Sequence, residues 1–258
     1  MNAVKVTKQD HIGIVTIDNP PLNVLGSFVF QELGEAFKNL AEDEEVLVVI
    51  LTGKGSKAFV AGADIKEFPQ LIGNSDMNKV VMDTHAVLNQ IEDFPKPTIA
   101  VLNGMAFGGG CELALTCDIR IAEEHVQIGL PEVKLGIFPG GGGTQRLPRL
   151  IGTSRAKELM FTGDPIGSEK AERIGLVNDV VESGKGMEAG LALAKRIAGN
   201  SLQSTSRIKS AVNRGVQLPF IEGIQYEALL FEEIFKTEDV KEGIAAFIEK
   251  RKPQYSNR

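Results

Sequence analysis

Two short aliphatic segments, separated by a helical pattern, constrain the fold of this chain more than any other feature. Val46 to Leu51 is apolar throughout, and Thr98 to Leu102 is apolar after its first residue. Runs of this kind are typical of strands that are buried on both faces. Between them, Val80 to Asp93 carries apolar residues at helical spacing. A connection of this length permits parallel pairing, so the sequence predicts an α/β core.

The rest of the chain extends this pattern and then departs from it. Ile12 to Ile17 and Ile119 to Ala122 predict further strands, and Phe28 to Ala41 predicts a helix. A short helix is expected to begin at Glu112. After about residue 200 only helical periodicity remains, from Ser204 to Lys252. The sequence therefore predicts an α/β domain followed by a helical tail.

One helix of the tail has an unusual composition. Phe220 to Phe235 is apolar around most of its circumference, so we expect it to be buried, here against another subunit. Thr237 has the character of an N-cap, because Glu238 and Asp239 follow it in the first turn of the next predicted helix.

Charge and cysteine content exclude several classes of protein. The net charge of −6 disfavours nucleic-acid binding, which needs a basic surface. Cys111 and Cys117 are the only cysteines, so no disulfide framework is implied. The segment from Met1 to Asp10 is polar and unlike a signal peptide, and no apolar run is long enough to span a bilayer. We therefore expect a soluble, cytoplasmic protein without membrane association.

Several common catalytic motifs are absent from the sequence. The three histidines, His11, His85 and His125, have no metal-binding spacing, so no metal site is predicted. No G-x-S-x-G, Walker or G-x-G-x-x-G motif is present. Carboxylates and glycine-rich loops remain as candidates for chemistry.

Three segments carry these candidates. Ala58 to Lys66 combines small residues with a position after a buried strand, which suits either backbone–ligand contact or tight packing. Gly108 to Gly110 precede the predicted helix start, where free N–H groups favour negative charge, although tight helix–strand packing would also need glycine. Glu112 follows at once, as a catalytic carboxylate or as a simple complement to the helix dipole.

Glu132 stands in an otherwise apolar stretch, from Ile128 to Val133. Such a carboxylate is either exposed at a turn or held in a pocket that raises its pKa. Taken alone, the residue favours the exposed position.

Together, these segments resemble the crotonase (enoyl-CoA hydratase/isomerase) family over nearly the whole chain. The resemblance is densest in three stretches, and it includes a Leu-Pro-Glu segment characteristic of members that hydrate. These stretches are Ala58–Lys66, Gly104–Asp118 and Gly129–Pro148, with Leu130-Pro131-Glu132 inside the last.

The resemblance implies a site. Its catalytic carboxylates would be Glu112 and Glu132, and its oxyanion hole would be the backbone N–H groups of Ala63 and Gly109. Two close carboxylates do not both ionise readily, so one pKa should rise, and the helix start at Glu112 points to Glu132 as the protonated partner. The residues implied for substrate and CoA binding are Ala61, Ala63, Asp64, Ile65, Lys66 and Gly109.

The resemblance also implies a fold and an activity. The fold would be a crotonase-type spiral of β-β-α turns over residues 1–199, with a helical region at 200–258 that builds trimers, which stack into hexamers. The activity would be hydration of a 2-enoyl-CoA to a 3-hydroxyacyl-CoA in fatty-acid β-oxidation, with CoA as part of the substrate and no cofactor. The alternatives are an enoyl-CoA isomerase of the same family and a noncatalytic RNA-binding member, which the acidic balance disfavours.

Overall fold

The protein is described by a computed structural model that covers residues 2–257. Its strands form two sheets, a larger one of six strands and a smaller one of four within the described residues. The strands are β1 (Val4–Gln9), β2 (Ile12–Ile17), β3 (Val48–Gly53), β4 (Ala58–Val60), β5 (Thr98–Leu102), β6 (Met105–Phe107), β7 (Ile119–Glu123), β8 (Gln127–Gly129), β9 (Ile166–Gly167) and β10 (Asp179–Val181).

Helices connect these strands and form the C-terminal part of the chain. Two 3₁₀ segments, Ile65–Leu71 and Pro131–Leu135, lie between strands and helices. The α-helices are α1 (Ser27–Glu42), α2 (Met77–Glu92), α3 (Gly109–Leu115), α4 (Gly143–Ile151), α5 (Thr153–Thr162), α6 (Ser168–Arg173), α7 (Gly186–Ala198), α8 (Leu202–Gly215), α9 (Phe220–Ile234) and α10 (Glu238–Glu249).

The order of strands shows a repeating unit. The larger sheet has the order β1-β2-β3-β5-β7-β10, and all of its pairs are parallel except β1 with β2. The smaller sheet has the order β4-β6-β8-β9. Each of the units β3-β4-α2, β5-β6-α3 and β7-β8-α4 therefore places one strand in each sheet and then a helix. The chain is a spiral of β-β-α turns.

The two aliphatic runs occupy the centre of the larger sheet, as the sequence predicted. Every residue of β3 and of β5 is buried. Val49 and Leu51 of β3 belong to the main core, whereas Val48 and Ile50 point to a second apolar cluster on the other face, which α7 covers. Strands with two apolar faces need cover on both sides, and α7 supplies the second.

Two boundaries differ from the sequence prediction. β3 begins at Val48 and not at Val46, because Val46 and Leu47 lead out of the turn at Glu44 and Glu45, with their N–H groups donating to Asp43 O and His11 O. Helix α3 begins at Gly109, three residues before the predicted start at Glu112. Gly109 and Gly110 therefore lie in the first turn of the helix, and Gly108 precedes them.

The C-terminal helices are as regular as predicted but largely uncovered. No residue of α9 is buried, and Phe220 and Phe231 are 78% and 63% exposed, so the predicted burial of this helix does not occur within the chain itself. The Thr237 side chain accepts a hydrogen bond from the Val240 N–H, which confirms it as the N-cap of α10. None of the helices in residues 2–257 is both long and apolar enough to cross a bilayer.

Candidate active site

The first turn of α3 presents backbone donors. Gly108, the N-cap, has φ +51° and ψ −122°, a conformation that side chains disfavour. The helix then packs so closely on β4 that a Cβ at Gly110 would overlap Val60 O. The glycines therefore do both things considered for them: they allow tight packing, and they leave the Gly109 N–H unshielded at a helix start.

The Ala61–Asp64 segment is held in place by a neighbouring strand-like segment. The Ala61 N–H donates to Leu22 O at 3.1 Å, and the Asp64 N–H donates to Leu25 O at 2.9 Å. In turn, the Leu25 N–H donates to Gly62 O at 2.9 Å. The Ala63 N–H lies between these bonds and takes part in none of them.

The structure brings the two predicted oxyanion donors together. A Cβ built on Gly109 would lie 3.4 Å from Ala63 N, so the two backbone segments are adjacent. In the described part of the chain, neither the Ala63 nor the Gly109 N–H donates to a protein acceptor. Two adjacent N–H groups without a protein acceptor are suited to stabilising a developing oxyanion.

Glu112 lies one turn into α3 and is buried, with 3% of its surface exposed. Its Oε1 accepts hydrogen bonds from the N–H groups of Gly141 (2.7 Å) and Gly143 (2.8 Å). Burial raises the pKa of Glu112, while these two hydrogen bonds and the charge of Arg146 act in the opposite direction. The second oxygen of this carboxylate is the one left to act on a ligand.

Glu132 lies in the first turn of the Pro131–Leu135 segment, and its carboxylate faces the start of α3. A Cβ at Gly108 would come within 2.9 Å of Glu132 Oε1. Glu132 Oε2 is buried, and within residues 2–257 it has no hydrogen-bond partner. Burial raises the pKa of Glu132 to about 7, and the charge of Glu112 adds to this. The surface position that Glu132 alone favoured is therefore wrong.

The two glutamates differ in what supports their charge. Glu112 has two backbone donors on one oxygen, whereas Oε2 of Glu132 is buried without a donor, and a buried carboxylate oxygen that lacks a donor favours the protonated form. The geometry thus favours Glu132 as the protonated partner. The two stabilising donors come from the glycine run that leads into α4, and not from the start of α3 that the sequence suggested.

The residues predicted to bind CoA lie beside these donors. Asp64 caps the Ile65–Leu71 segment, since its Oδ1 accepts from the Lys66 N–H at 3.1 Å. Ile65 and Lys66 are exposed, and Ala61 and Ala63 are half-buried. The loop therefore offers an apolar side chain, an ammonium group and a free N–H on one accessible stretch.

Sequence reasoning missed three residues that surround Glu112. Gly141 and Gly143 donate to its carboxylate, and the Arg146 guanidinium donates to Gly141 O at 3.1 Å. The run of four glycines before a helix was the available signal, because clustered glycines often mark backbone that approaches a polar group.

The described residues include no group of three or more His, Cys, Asp or Glu side chains arranged to hold a metal ion. The polar groups that converge here are carboxylates and backbone N–H groups. Such a set is suited to proton transfer beside a stabilised oxyanion.

Known proteins are similar to this chain over nearly its full length. A family model described as enoyl-CoA hydratase/isomerase matches residues 7–258. A short-chain-enoyl-CoA hydratase of Clostridium acetobutylicum is 44% identical over 253 residues, which are 98% of this chain and 97% of that protein. A crotonyl-CoA hydratase of Syntrophomonas wolfei is 41% identical over 249 residues, 96% of this chain and 95% of that protein.

The likeness extends to the backbone. The crystal structure of an enoyl-CoA hydratase from Bacillus anthracis superposes with a TM-score of 0.94 at 39% identity, covering 99% of this chain and all of the other. This confirms the crotonase-type spiral with C-terminal helices that the resemblance implied. The chain belongs to the enoyl-CoA hydratase/isomerase family.

Proposed function

We propose that this protein is an enoyl-CoA hydratase, which adds water across the 2,3 double bond of a 2-enoyl-CoA to give a 3-hydroxyacyl-CoA. The observation that carries the proposal is one arrangement: Glu112 and Glu132 flank a helix start whose Gly109 N–H, with that of Ala63, is free to bind an oxyanion. The matched hydratases, whose names describe this reaction, support it.

Each group has a defined part in the reaction. The thioester oxygen binds the N–H groups of Ala63 and Gly109, which polarises the conjugated double bond. Glu112 takes a proton from water as the water oxygen bonds to C3, and the π electrons move toward the thioester oxygen as an enolate. Glu132 then gives its proton to C2, and proton exchange with solvent restores both carboxyl groups.

The substrate supplies everything that this reaction consumes apart from water. CoA is part of the substrate, and addition of water neither oxidises nor reduces it, so we propose no separate cofactor. Ala61, Asp64, Ile65 and Lys66 lie along the accessible loop next to the oxyanion donors, and we propose that they contact the CoA moiety. Fatty-acid β-oxidation is the proposed pathway.

Isomerisation is the nearest alternative chemistry. It moves one proton between carbon atoms and requires no activated water. The support of Glu112 by two N–H donors favours hydration, because it provides a carboxylate that can accept a proton from water beside the protonated Glu132.

We also propose that residues 200–258 form an assembly region, through which the chain makes homotrimers that can stack into hexamers. An exposed apolar surface on α8–α10 supports this, because apolar patches of this extent rarely remain uncovered in monomers. Its exposed members are Ile208, Val212, Val216, Phe220, Ile221, Ile224, Leu229, Phe231, Phe235, Ile244, Phe247 and Ile248.

The activity is tested by following the enoyl absorbance of crotonyl-CoA. A hydratase removes this absorbance without added cofactor, and mass spectrometry of the product shows a gain of one water. A parallel reaction with 3-enoyl thioesters detects isomerisation as a gain of conjugated absorbance. Folded protein that hydrates no 2-enoyl-CoA of any chain length, yet isomerises 3-enoyl thioesters, would overturn the proposal in favour of the isomerase.

A further inference from the structure

Arg146, in the first half of α4, connects three parts of the molecule near Glu112. Its Nε and Nη2 donate to Glu92 Oε2 at 2.9 and 2.7 Å, and Nη2 also donates to Asn89 Oδ1 at 2.7 Å, both on α2. Its Nη1 donates to Gly141 O at 3.1 Å. Only 11% of the side chain is exposed, so these bonds are largely shielded from water.

The bond to Gly141 O falls between the two donors that hold Glu112. Gly141 carries both this carbonyl and one of the donors, and Gly143, two residues later, carries the other. Both N–H groups donate to Glu112 Oε1. The segment Gly140–Gly143 consists of glycine alone, which has more conformational freedom than any other residue. The N–H groups of Gln145 and Arg146 hold Gly142 O at 2.9 and 2.8 Å, and the Arg146 guanidinium ties the carbonyl before it, that of Gly141.

The packing at Gly141 and Gly142 leaves no room for a side chain, whereas Gly140 is open. A Cβ at Gly141 would lie 2.5 Å from Glu112 Oε2, and a Cβ at Gly142 would overlap the Arg146 guanidinium. The run therefore consists of intrinsically flexible residues that must be held in one conformation. Arg146 is the side chain that links the Gly141 carbonyl to α2.

We propose that Arg146, anchored by Glu92 and Asn89, is a positioning residue that fixes the Gly140–Gly143 run and thereby holds the Glu112 carboxylate oriented toward the water that adds to the substrate. The inference rests on the proposed hydratase function, and it names a residue that touches neither the reacting atoms nor the substrate.

We call Arg146, with its partners Glu92 and Asn89, the clamp. Several charged and titratable groups surround the Glu112 carboxylate that the clamp positions. Glu132 faces it from the Pro131–Leu135 segment, Cys111 precedes it on α3, and His85 of α2 lies 3.7 Å from the Cβ position of Gly142. Arg146 is the cation whose charge lowers the pKa of Glu112, against the effect of burial. Loss of Arg146 therefore removes both the charge and the order of the two N–H donors.

The test compares Arg146→Met and Arg146→Lys with the wild type, using Arg149→Met as the matched control. Arg149 lies one turn further along α4 and is exposed, and within residues 2–257 its guanidinium bonds only to Gln145. For Arg146→Met we expect kcat for hydration to fall about 10–100-fold, with KM little changed and the acid limb of the pH profile moved to higher pH. Arg146→Lys keeps the charge but not the planar fork, so it should recover the pH profile in part. Arg149→Met should match the wild type.

A second measurement separates the clamp from the proposed function. Hydrogen–deuterium exchange of the peptide that spans residues 139–147 reports order in the glycine run without any substrate. We expect faster exchange there in Arg146→Met and in Glu92→Gln, at conditions where all variants remain folded by circular dichroism.

The outcomes distinguish the two ideas. If exchange is faster in the variants but the wild-type protein hydrates no enoyl thioester, the clamp is supported and the proposed hydratase function is rejected. Unchanged exchange, or an equal loss of kcat in both Arg146 variants with the acid limb unmoved, would show that Arg146 serves only overall stability, and the clamp would be rejected.

Discussion

At the scale of single residues, two chemically identical side chains acquire different proton affinities from their surroundings. Glu112 is the more deeply buried, yet two N–H groups and a guanidinium compensate its charge. Glu132 has a buried oxygen without a donor, and burial raises its pKa to about 7. We propose that the active form of the pair carries one proton, on Glu132.

This assignment predicts the pH dependence of catalysis. Hydration needs Glu132 protonated, so kcat/KM should fall as the pH rises through about 7, where the free enzyme loses that proton. Protonation of Glu112 should impose a fall at the acid side. Dehydration of the 3-hydroxyacyl-CoA starts from the same total protonation of the pair, so its profile should have the same shape. Steady-state rates in both directions from pH 5 to 9 test this; an alkaline limb absent below pH 9 would contradict it.

The raised pKa of Glu132 also predicts a cost in stability. Folding raises this pKa from 4.5 to about 7, so the folded state binds the proton more tightly, and stability falls as the pH rises through that window. Glu132→Gln removes the titration and should raise the free energy of unfolding at pH 8 by up to about 2 kcal/mol, allowing for partial solvation. Urea unfolding at pH 8 and pH 4.5 measures it. A gain of the same size at both pH values would contradict the electrostatic cause.

At the scale of elements, the start of α3 determines where the donors point. Gly108 has a positive φ and lies against the Glu132 carboxylate. The backbone conformation at the start of α3 and the space for Glu132 therefore both depend on this glycine. The short strands β4, β6 and β8 deliver the segments that meet here, each three residues long.

Gly108→Ala should therefore damage catalysis beyond its effect on stability. The new Cβ would lie 2.9 Å from Glu132 Oε1 and displace that carboxylate, for a loss in kcat of about 10²-fold. Gly175→Ala is the matched control, because Gly175 also has a positive φ (+81°) but no atom within 4 Å of its Cβ position. Both variants should lose about 1–2 kcal/mol of stability, and only Gly108→Ala should lose activity. Equal kcat values for the two would refute the steric cause.

The sequence predicted the long elements and not the short ones. β2, β5, α1 and α2 each carry several apolar residues at a clear period, and their observed bounds agree with the patterns to within a few residues. A three-residue strand such as β6 has no period to detect. The hydrogen-bond donors to Glu112 were not predicted for a similar reason. They are backbone N–H groups, which every residue except proline has, so the residue types gave no signal apart from the glycine run.

At the scale of the whole molecule, the C-terminal helices are tied to the spiral at few points and expose most of their apolar surface. Lys209 of α8 reaches into the core, where its Nζ donates to Asp118 Oδ2 at 2.9 Å. Asp239 of α10 accepts from Ser201 Oγ and from the Ser256 and Asn257 N–H groups, which fastens the end of the chain. Helix α9 has no buried residue, as an assembly surface would require.

Assembly through this surface predicts a change of oligomeric state. Phe231→Glu places a charge at a 63% exposed position of α9 and should dissociate the oligomer, as measured by sedimentation velocity. Val6→Glu is the control, because Val6 is also an exposed apolar residue but lies on β1, outside α8–α10. A wild-type protein that sediments as a monomer would contradict the proposed trimer.

The central claim is that Glu112 and Glu132 act as one catalytic unit on an enoyl thioester. The most direct test measures the hydration of crotonyl-CoA by Glu112→Gln, Glu132→Gln and the double variant. Residues that act as a unit are not additive, so each single change should remove most of the rate, by about 10³-fold or more, and the double variant should be little worse than either. Near-normal turnover in both single variants, or losses that multiply in the double variant, would contradict the account.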